Sequence, residues 1–571
     1  MTLLLMAIAM LLVLTAAYVL YGTMIARLFR IDDSQTTPAV AKSDGIDFIP
    51  TRPFYLLPQH FSAIAAAGPI AGPILACGTF GWLPCLLWIG FGVVFIGAVH
   101  DFAALVASIR HGSHSIAEIA RKNLGRRAWL SLSVFIWVAL VYVIIAFTQM
   151  TAASFAGVSE EFQGLGVTFN KGGAVAASSV MYLGLSLLLG VVNRYSKLPI
   201  GITTPIFVAG ALACVWLGTR VDTALVLSPR AWFAIILGYC FIASMLPVWL
   251  LQQPRGYLGG FVLYLAIGVG VVGIVAGGFE IRQPMLSEQA TALLDPLAAL
   301  RKTDTAGAGA VTQMVFPFLF VTIACGACSG FHGLICGGTT SKQIAKESHC
   351  KPVAFGSMLL EAFVAVIALA TMMMIAPADA KGLPPARIYG DGLAAFLTVI
   401  LGKDAFLFAA TFGAMAFSTF VFDTLDVSTR LGRYLLQEVF GTHSRRAGWI
   451  AAAVTAGTPL TILMFSDPKG YLLYWTLFGT SNQLLAALTL LGITVWLKRS
   501  GKRIWFVAVP MVFLMVITVT ALGMQIASGV RAVWRTGAFS QEALNAGVAT
   551  LLLALAAIFV VEALRAGRTH R

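Results

Sequence analysis

Residues 325–343 read Cys-Gly-Ala-Cys-Ser-Gly-Phe-His-Gly-Leu-Ile-Cys-Gly-Gly-Thr-Thr-Ser-Lys-Gln. This polar, glycine-rich run closes an apolar segment in which an unbroken helix would be expected. In lipid, backbone N–H and C=O groups must find partners within the protein. Non-helical backbone at that depth persists only where protein buries it or it lines a watery cavity. An interrupted membrane helix is the best sequence pointer to a transporter's binding site. A second interruption lies near the start of the chain, where His60-Phe61-Ser62 leads through small residues into Gly68-Pro69-Ile70-Ala71-Gly72-Pro73. Two proline rings and two glycines in so short an apolar stretch disfavour a regular helix.

The rest of the chain agrees with a membrane setting. It has 571 residues, 59% of them hydrophobic and 11% charged, and a mean hydropathy of +0.88. A soluble protein carries about a quarter charged residues, so the surplus apolar surface is expected to face lipid. The chain therefore reads as an all-α polytopic membrane protein. The formal charge of +14 is read as topological rather than as a nucleic-acid footprint, because cytoplasmic loops collect Lys and Arg. Segment 1–26 has no charged side chain before Arg27 and Arg30. It lacks the basic leader of a signal peptide and is read as a retained helix with its N-terminus outside. Hydropathy gives about fifteen transmembrane helices, counting the two broken ones. Alternating sides then gathers most of the 38 lysines and arginines inside, with clusters at Arg121–Arg127, Arg430–Arg446 and Lys498–Arg503, and puts the C-terminus in the cytoplasm. The stretch 392–403 is ambiguous and open to a re-entrant reading. The eight cysteines, at 77, 85, 214, 240, 325, 328, 336 and 350, fall mostly inside apolar spans, which argues against structural disulfides.

No soluble domain is visible. The expected division is an extra N-terminal helix at 1–30, a transporter core with broken helices at 59–430, and C-terminal membrane helices at 431–571. Segment 111–127 reads as a cytoplasmic amphipathic connector with Ile116, Ile119 and Ala120 on one face. Loop 279–310 reads as external and long enough to cover an entrance. The two broken spans, 59–79 and 311–338, run in opposite directions, as inverted repeats require. A five-plus-five repeat starting at residue 59 would pair the first with span 230–251, which is itself interrupted at Met245-Leu246-Pro247. A seven-plus-seven repeat would pair it with 311–338. Both remain open at this level.

The chemistry-bearing residues follow from these breaks. Amides at a half-helix N-terminus favour anions and freed carbonyls favour cations. Gly68, Pro69, Gly72 and Pro73 are thus candidates for substrate contact; a tolerated kink with glycines for close packing is the alternative. Ser329, Gly330, His332, Thr339 and Thr340 from the second break, and Asn482 from span 471–497, complete the expected substrate set. Asp101, beside His100, and Glu361, the deepest carboxylate, are ionisable groups at membrane depth, which are functional hypotheses by default. With His332 they form the expected ion-coupling set. Asp426 and Arg430 are four apart at an inner helix end and can pair, as an inner gate. Cys325, Cys328, His332 and Cys336 are metal-ligand types. On a straight helix they form a stripe that cannot close on one ion; only a fold-back at Gly330 or Gly333 would gather them, so no metal is expected. No G-x-S-x-G, H-E-x-x-H or Walker A sequence is present. Neither an enzyme, nor a cofactor, nor an ATP-driven pump is expected.

At these residues the chain closely resembles the carbon starvation protein A family. Matching stretches include Ala66-Ala67-Gly68-Pro69-Ile70 through Pro73, Gly97-Ala98-Val99-His100-Asp101-Phe102, and Leu246-Pro247-Val248-Trp249 through Gln253-Pro254-Arg255. Others are Ser329-Gly330-Phe331-His332 through Lys342, Thr424-Leu425-Asp426 through Thr429-Arg430, and Leu477-Phe478-Gly479-Thr480-Ser481-Asn482-Gln483. The resemblance implies an inner-membrane uptake carrier, in a family described for peptides and for pyruvate with proton coupling. It also implies a LeuT-like core of the amino acid–polyamine–organocation type, with a five-plus-five inverted repeat. Gly256 stands where many members have an acid after Pro-Arg, and Gly333 and Cys336-Gly337-Gly338 replace a more Ser-rich run; these departures bear on the substrate. The expected function is import of a small carboxylate-bearing nutrient, pyruvate or a short peptide, across the bacterial inner membrane. Coupling is to H+ or, second, Na+. The expected partners are that substrate, the ion and the lipid bilayer, with no nucleic acid and the oligomeric state open. The alternative is a membrane nutrient sensor that binds the same ligand without moving it. A channel is a third reading, which opposed broken helices suit less well.

Overall fold

The computed structural model describes residues 2–44, 48–157, 159–162, 167–196, 198–288, 314–442, 444–467, 470–536 and 540–568. Among them the regular structure is helical apart from one small hairpin, Glu160–Phe162 with Val167–Phe169. Among the described residues twelve helices are long and apolar enough to cross a membrane, or thirteen if the bent pair Pro53–Ile64 and Gly68–Phe80 is one span. The expectation of about fifteen is too high by this measure. The remaining spans fall short because their backbone leaves the helix early. Pro229–Met245 has 17 residues and stops where Leu246 precedes a proline and is held extended. The 311–338 span is two short half-helices, Val315–Thr322 and Gly330–Gly338.

The first break falls at 65–67, where Ala65 has ψ 60°, and the half-helices meet at 43°. Gly68-Pro69 begins the second half-helix rather than forming the unwound segment, since a proline in a first helical turn forfeits no hydrogen bond. The second break covers 323–329. The two breaks lie against each other. Gly68 sits on the Cys325 side chain, and a Cβ on Gly72 would lie 2.7 Å from the Thr322 carbonyl oxygen and 3.3 Å from Ile323 Cα. Glycine allows that approach.

Packing around the breaks repeats with a two-fold pattern. Gly68–Phe80 packs on Ser357–Met373, and Gly330–Gly338 packs on Ala98–Arg110. Pro53–Ile64 packs on Gln252–Ala276, and Val315–Thr322 packs on Tyr471–Arg499. Arg126–Phe155 crosses Phe406–Val439, and Pro229–Met245 crosses Arg445–Phe465. These pairings relate five helices of 53–276 to five of 315–499. The hairpin of Lys171–Tyr195 and Ile200–Gly218 is inserted in the first set. The broken first span therefore corresponds to the broken 311–338 span inside a five-plus-five repeat, a combination neither sequence alternative contained. Residue 430, the expected core boundary, lies inside the helix Phe406–Val439.

Three connections position the site. The connector is the helix Ile116–Leu124, capped by Ser115 accepting from the Glu118 N–H, with Ile116, Ile119 and Ala120 buried as expected. Residues 279–288 are tied to the opposite end of the molecule, where Arg282 N–H donates to Met373 O (2.7 Å) and Ser287 N–H to Phe80 O (3.2 Å). The rest of the expected entrance loop, 289–310, lies outside the described residues. The ambiguous stretch 392–403 belongs to the helix Pro385–Leu401 and the turn after it, where Gly402 has φ 83°. That helix folds back along Phe406–Val439 and is held at its side by an ion pair between Lys171 and Asp391.

Candidate functional site

Four ionisable side chains meet behind the second break with no solvent exposure: His100, Asp101, His332 and Glu361. A π turn at Val93–Gly97 precedes the first two, and another at Lys351–Gly356 precedes Glu361. Such turns are frequent at functional sites. A carboxylate can only accept, so Asp101 receives one N–H at each oxygen. His100 Nδ1 donates to Oδ1 at 2.8 Å, and His332 Nδ1 to Oδ2 at 2.9 Å. That fixes the tautomer of a neutral His332 and leaves its Nε2 as an acceptor, 3.4 Å from Glu361 Oε2. Neither Glu361 oxygen has a hydrogen-bond partner. The row of carboxyl, imidazole, carboxylate and imidazole has the chemistry to hold a proton and pass it along. Gly333 leaves room for the His100 ring, which a Cβ there would approach to 3.2 Å.

A cavity of 680 Å³ opens beside this network, on the side of the connector helix. His60, Thr339 and Thr340 line it, and His60 Nδ1 shares a hydrogen bond with Thr340 Oγ1 at 2.8 Å. His60 also interacts electrostatically, without a direct hydrogen bond, with Asp101 and His332. Asp423 lines the cavity and accepts from Ser62 Oγ at 3.2 Å. Bare Gly256 lies beside it; a Cβ there would be 3.5 Å from Asp423 Oδ2. Arg430 also lines the cavity, with Nη2 donating to Ala243 O (2.7 Å) and Leu246 O (2.8 Å). Behind the wall, buried Arg255 forms an ion pair with Asp426. Tyr239 closes that triad, donating to Asp426 Oδ2 at 2.7 Å and accepting from Arg255 Nη1 at 2.7 Å.

The family model described as Carbon starvation protein CstA matches residues 1–391 and 380–521. The chain belongs to this family. Among its relatives, the Peptide transporter CstA of Bacillus subtilis (strain 168) is 33% identical, over 98% of this chain and 96% of its own length. The Pyruvate/proton symporter BtsT of Escherichia coli (strain K12) is 30% identical, over 90% of this chain and 80% of its own. Among solved structures, the Eremococcus coleocola manganese transporter in complex with an aromatic bis-isothiourea substituted compound superposes with a TM-score of 0.49 at 11% identity, covering 92% of this chain and 99% of its own. MhsT in complex with L-phenylalanine gives 0.47 at 14% identity, covering 83% and 98%.

In this CstA-family chain, the three residues expected to couple the ion, Asp101, His332 and Glu361, form one cluster. The expected substrate residues divide. Thr339 and Thr340 lie on the cavity wall. Gly68, Pro69, Gly72 and Pro73 are buried between the two breaks and are not among its lining residues. Ser329, Gly330 and Asn482 build a local cap: Asn482 Oδ1 accepts from the Phe331 N–H at 2.9 Å, and Nδ2 donates to Ser329 Oγ at 3.0 Å. This satisfies an amide that the start of a half-helix leaves without a partner. The expected Asp426–Arg430 pair does not form. Asp426 faces Arg255 instead, and Arg430 turns to the two carbonyls ending Pro229–Met245. Arg255 and Tyr239 escaped the sequence reading, although one signal was available: Arg255 opens an apolar helix, Gln252–Ala276, that contains no acid. Among the described residues, no group of three or more His, Cys, Asp or Glu is arranged to hold a metal. Cys325 Sγ accepts from Asn482 Nδ2 at 3.3 Å, and Cys336 Sγ donates to the Asp101 carbonyl at 3.5 Å.

Proposed function

We propose that the chain is a secondary active transporter that imports a small carboxylate-bearing nutrient, pyruvate or a short peptide, in symport with H+. The observation carrying this reading is the buried row Glu361–His332–Asp101–His100 lying directly behind one of two opposed helix breaks and next to a one-sided cavity. Membrane-buried ionisable groups mark proton relays and ion pathways, and substrate and ion sites of inverted-repeat carriers lie where the broken helices meet. A proton taken up while the site faces outside would reside on Glu361 or His332 Nε2 and leave past His60 through the cavity once that side is open. The names of the relatives, a peptide transporter and a pyruvate/proton symporter, support this substrate range.

The same reading puts the protein in the bacterial inner membrane with its N-terminus outside and its C-terminus in the cytoplasm. The cavity, bordered by the connector helix, then opens inward. The transporter core consists of the two repeats at 53–276 and 315–499, so it extends past residue 430, with helix Leu3–Phe29 and the last two helices outside it. Gly68 and Gly72 act by letting the breaks approach, and the inner gate is the cluster of Arg255, Asp426 and Arg430 rather than one pair. Purified protein in liposomes under an inward pH gradient should accumulate labelled substrate, and a protonophore should abolish accumulation. A sensor would bind the ligand without accumulating it, and that outcome would sink the carrier reading.

A further inference from the structure

We propose that Asp423 and Arg430 form a two-point clamp for a zwitterion, a dipeptide with both ends free, at the inner end of the cavity. The inference rests on the carrier reading above and names its substrate. Both residues belong to one helix, Phe406–Val439, and both line the 680 Å³ cavity together with Val427 between them. They are seven positions apart. At about 100° and 1.5 Å per residue this is two turns, so the two side chains leave the same face about 10 Å apart.

Their charges are available to a ligand. The remaining acid and cation of the cluster, Asp426 and Arg255, form an ion pair with each other, and they act on Asp423 and Arg430 only at longer range. Asp423 accepts one hydrogen bond, from neutral Ser62, and bare Gly256 leaves space in front of its carboxylate. Arg430 uses Nη2 alone for both carbonyl bonds, which leaves its other donors for a carboxylate. Nearer the mouth, Glu118 pairs with Arg121, Lys42 donates to the Gly112 carbonyl, and Glu438 accepts from the Trp129 ring N–H.

A site with one anion and one cation stays neutral when a zwitterion enters it. The ends of an extended dipeptide are about 7 Å apart, and a charge-assisted hydrogen bond of about 2.8 Å at each end brings the reach to about 12–13 Å, a difference from the rise of about 10 Å that the long Arg430 side chain can take up; a tripeptide, about 3.5 Å longer, is too long to be held at both ends. Its amine meets Asp423, its carboxylate meets Arg430, and its middle rests on Val427. Pyruvate carries a single charge. At the clamp it can engage Arg430 but offers no amine to Asp423.

The test uses the full-length protein in detergent and radiolabelled Ala-Ala. Saturable binding is expected, with N-acetyl-Ala-Ala and Ala-Ala amide each at least tenfold weaker and pyruvate failing to compete at tenfold excess. Asp423→Asn should remove the discrimination against the acetylated peptide, and Arg430→Gln that against the amide, each leaving the other intact. Wild-type protein alone can overturn the clamp: either blocked peptide binding within threefold of Ala-Ala, or pyruvate competing as well as Ala-Ala, rules it out. Absent Ala-Ala binding combined with proton-driven pyruvate accumulation in liposomes refutes the clamp and keeps the carrier. Accumulation of neither compound removes both.

Discussion

Replacing Asp426 by asparagine keeps the shape of the side chain and removes the charge that Arg255 faces. Arg255 is 1% exposed and Asp426 4%, so water cannot take over. Asp423 acts on Arg255 from beyond ion-pair distance, so the neighbours replace the lost charge only in part. Arg255 Nε has no hydrogen-bond partner. The rings of Phe422 and Tyr239, with centroids 5.3 and 5.8 Å from the guanidinium, supply about 1–2 kcal/mol of cation–π attraction at most. Breaking a buried pair by removing one partner costs about 3–5 kcal/mol, because the other charge is left uncompensated. We expect a loss near the lower end, about 3 kcal/mol, given the Tyr239 hydroxyl and those rings. The informative quantity is the coupling energy from a double-mutant cycle, read from unfolding of the detergent-solubilised protein by increasing SDS and followed by tryptophan fluorescence. Asp426→Asn with Arg255→Gln should couple by about 2 kcal/mol or more, and Asp426→Asn with Arg430→Gln by less than about 0.5 kcal/mol. Coupling to Arg430 equal to or larger than that to Arg255 would refute the arrangement and restore the four-residue pairing suggested by sequence spacing.

Three further outcomes are expected. Asp101→Asn and Glu361→Gln should each abolish accumulation under a pH gradient while leaving some exchange of labelled for unlabelled substrate; wild-type accumulation by both variants would remove the proton role from this cluster. Gly72→Val pushes side-chain atoms against the Thr322 carbonyl, an overpacking worth about 1–3 kcal/mol, so the melting temperature should fall along with ligand binding; a binding loss at unchanged melting temperature would place Gly72 on the substrate rather than between helices. His332→Ala should stop coupled transport while Cys325→Ser with Cys328→Ser is mild, and elemental analysis of purified wild type should find no stoichiometric metal; about one metal per chain, lost in the cysteine variants, would overturn the proton relay.

Membrane class and most helices were legible because lipid imposes long apolar runs, and the two breaks because glycine and proline interrupt them. Asp101, His332 and Glu361 could be singled out for the same reason: an ionisable side chain in an apolar span stands out one residue at a time. What could not be read is partnership across the chain. Asp426 and Arg255 are 171 positions apart, so local spacing offered Arg430 as the nearer partner and was misleading. His60 meets Thr340 across 280 positions, and the cavity they share is a property of packing. The five-plus-five repeat was hidden by the inserted hairpin 171–218, which shifts every later helix in the count. Gly68 and Gly72 show a different limit. Glycine that approaches a ligand and glycine that approaches another backbone look identical until the neighbour is known.

The two π turns give the helices that carry the buried acids an unusual phase. A π turn accommodates one residue beyond what the regular ladder needs, and one residue corresponds to about 100° of rotation. The faces of Trp82–Gly92 and of Ala98–Arg110 are therefore offset from those of a regular helix. Removing a single residue from Val93–Gly97 would leave a helix just as apolar and just able to span, yet would swing Asp101 a quarter turn away from His332. The same holds for Lys351–Gly356 and Glu361. Hydropathy is blind to such a change. The proposed proton coupling thus hangs on an odd residue in each of two helices, so that a shift of frame within the membrane would silence it while topology, length and composition stayed the same.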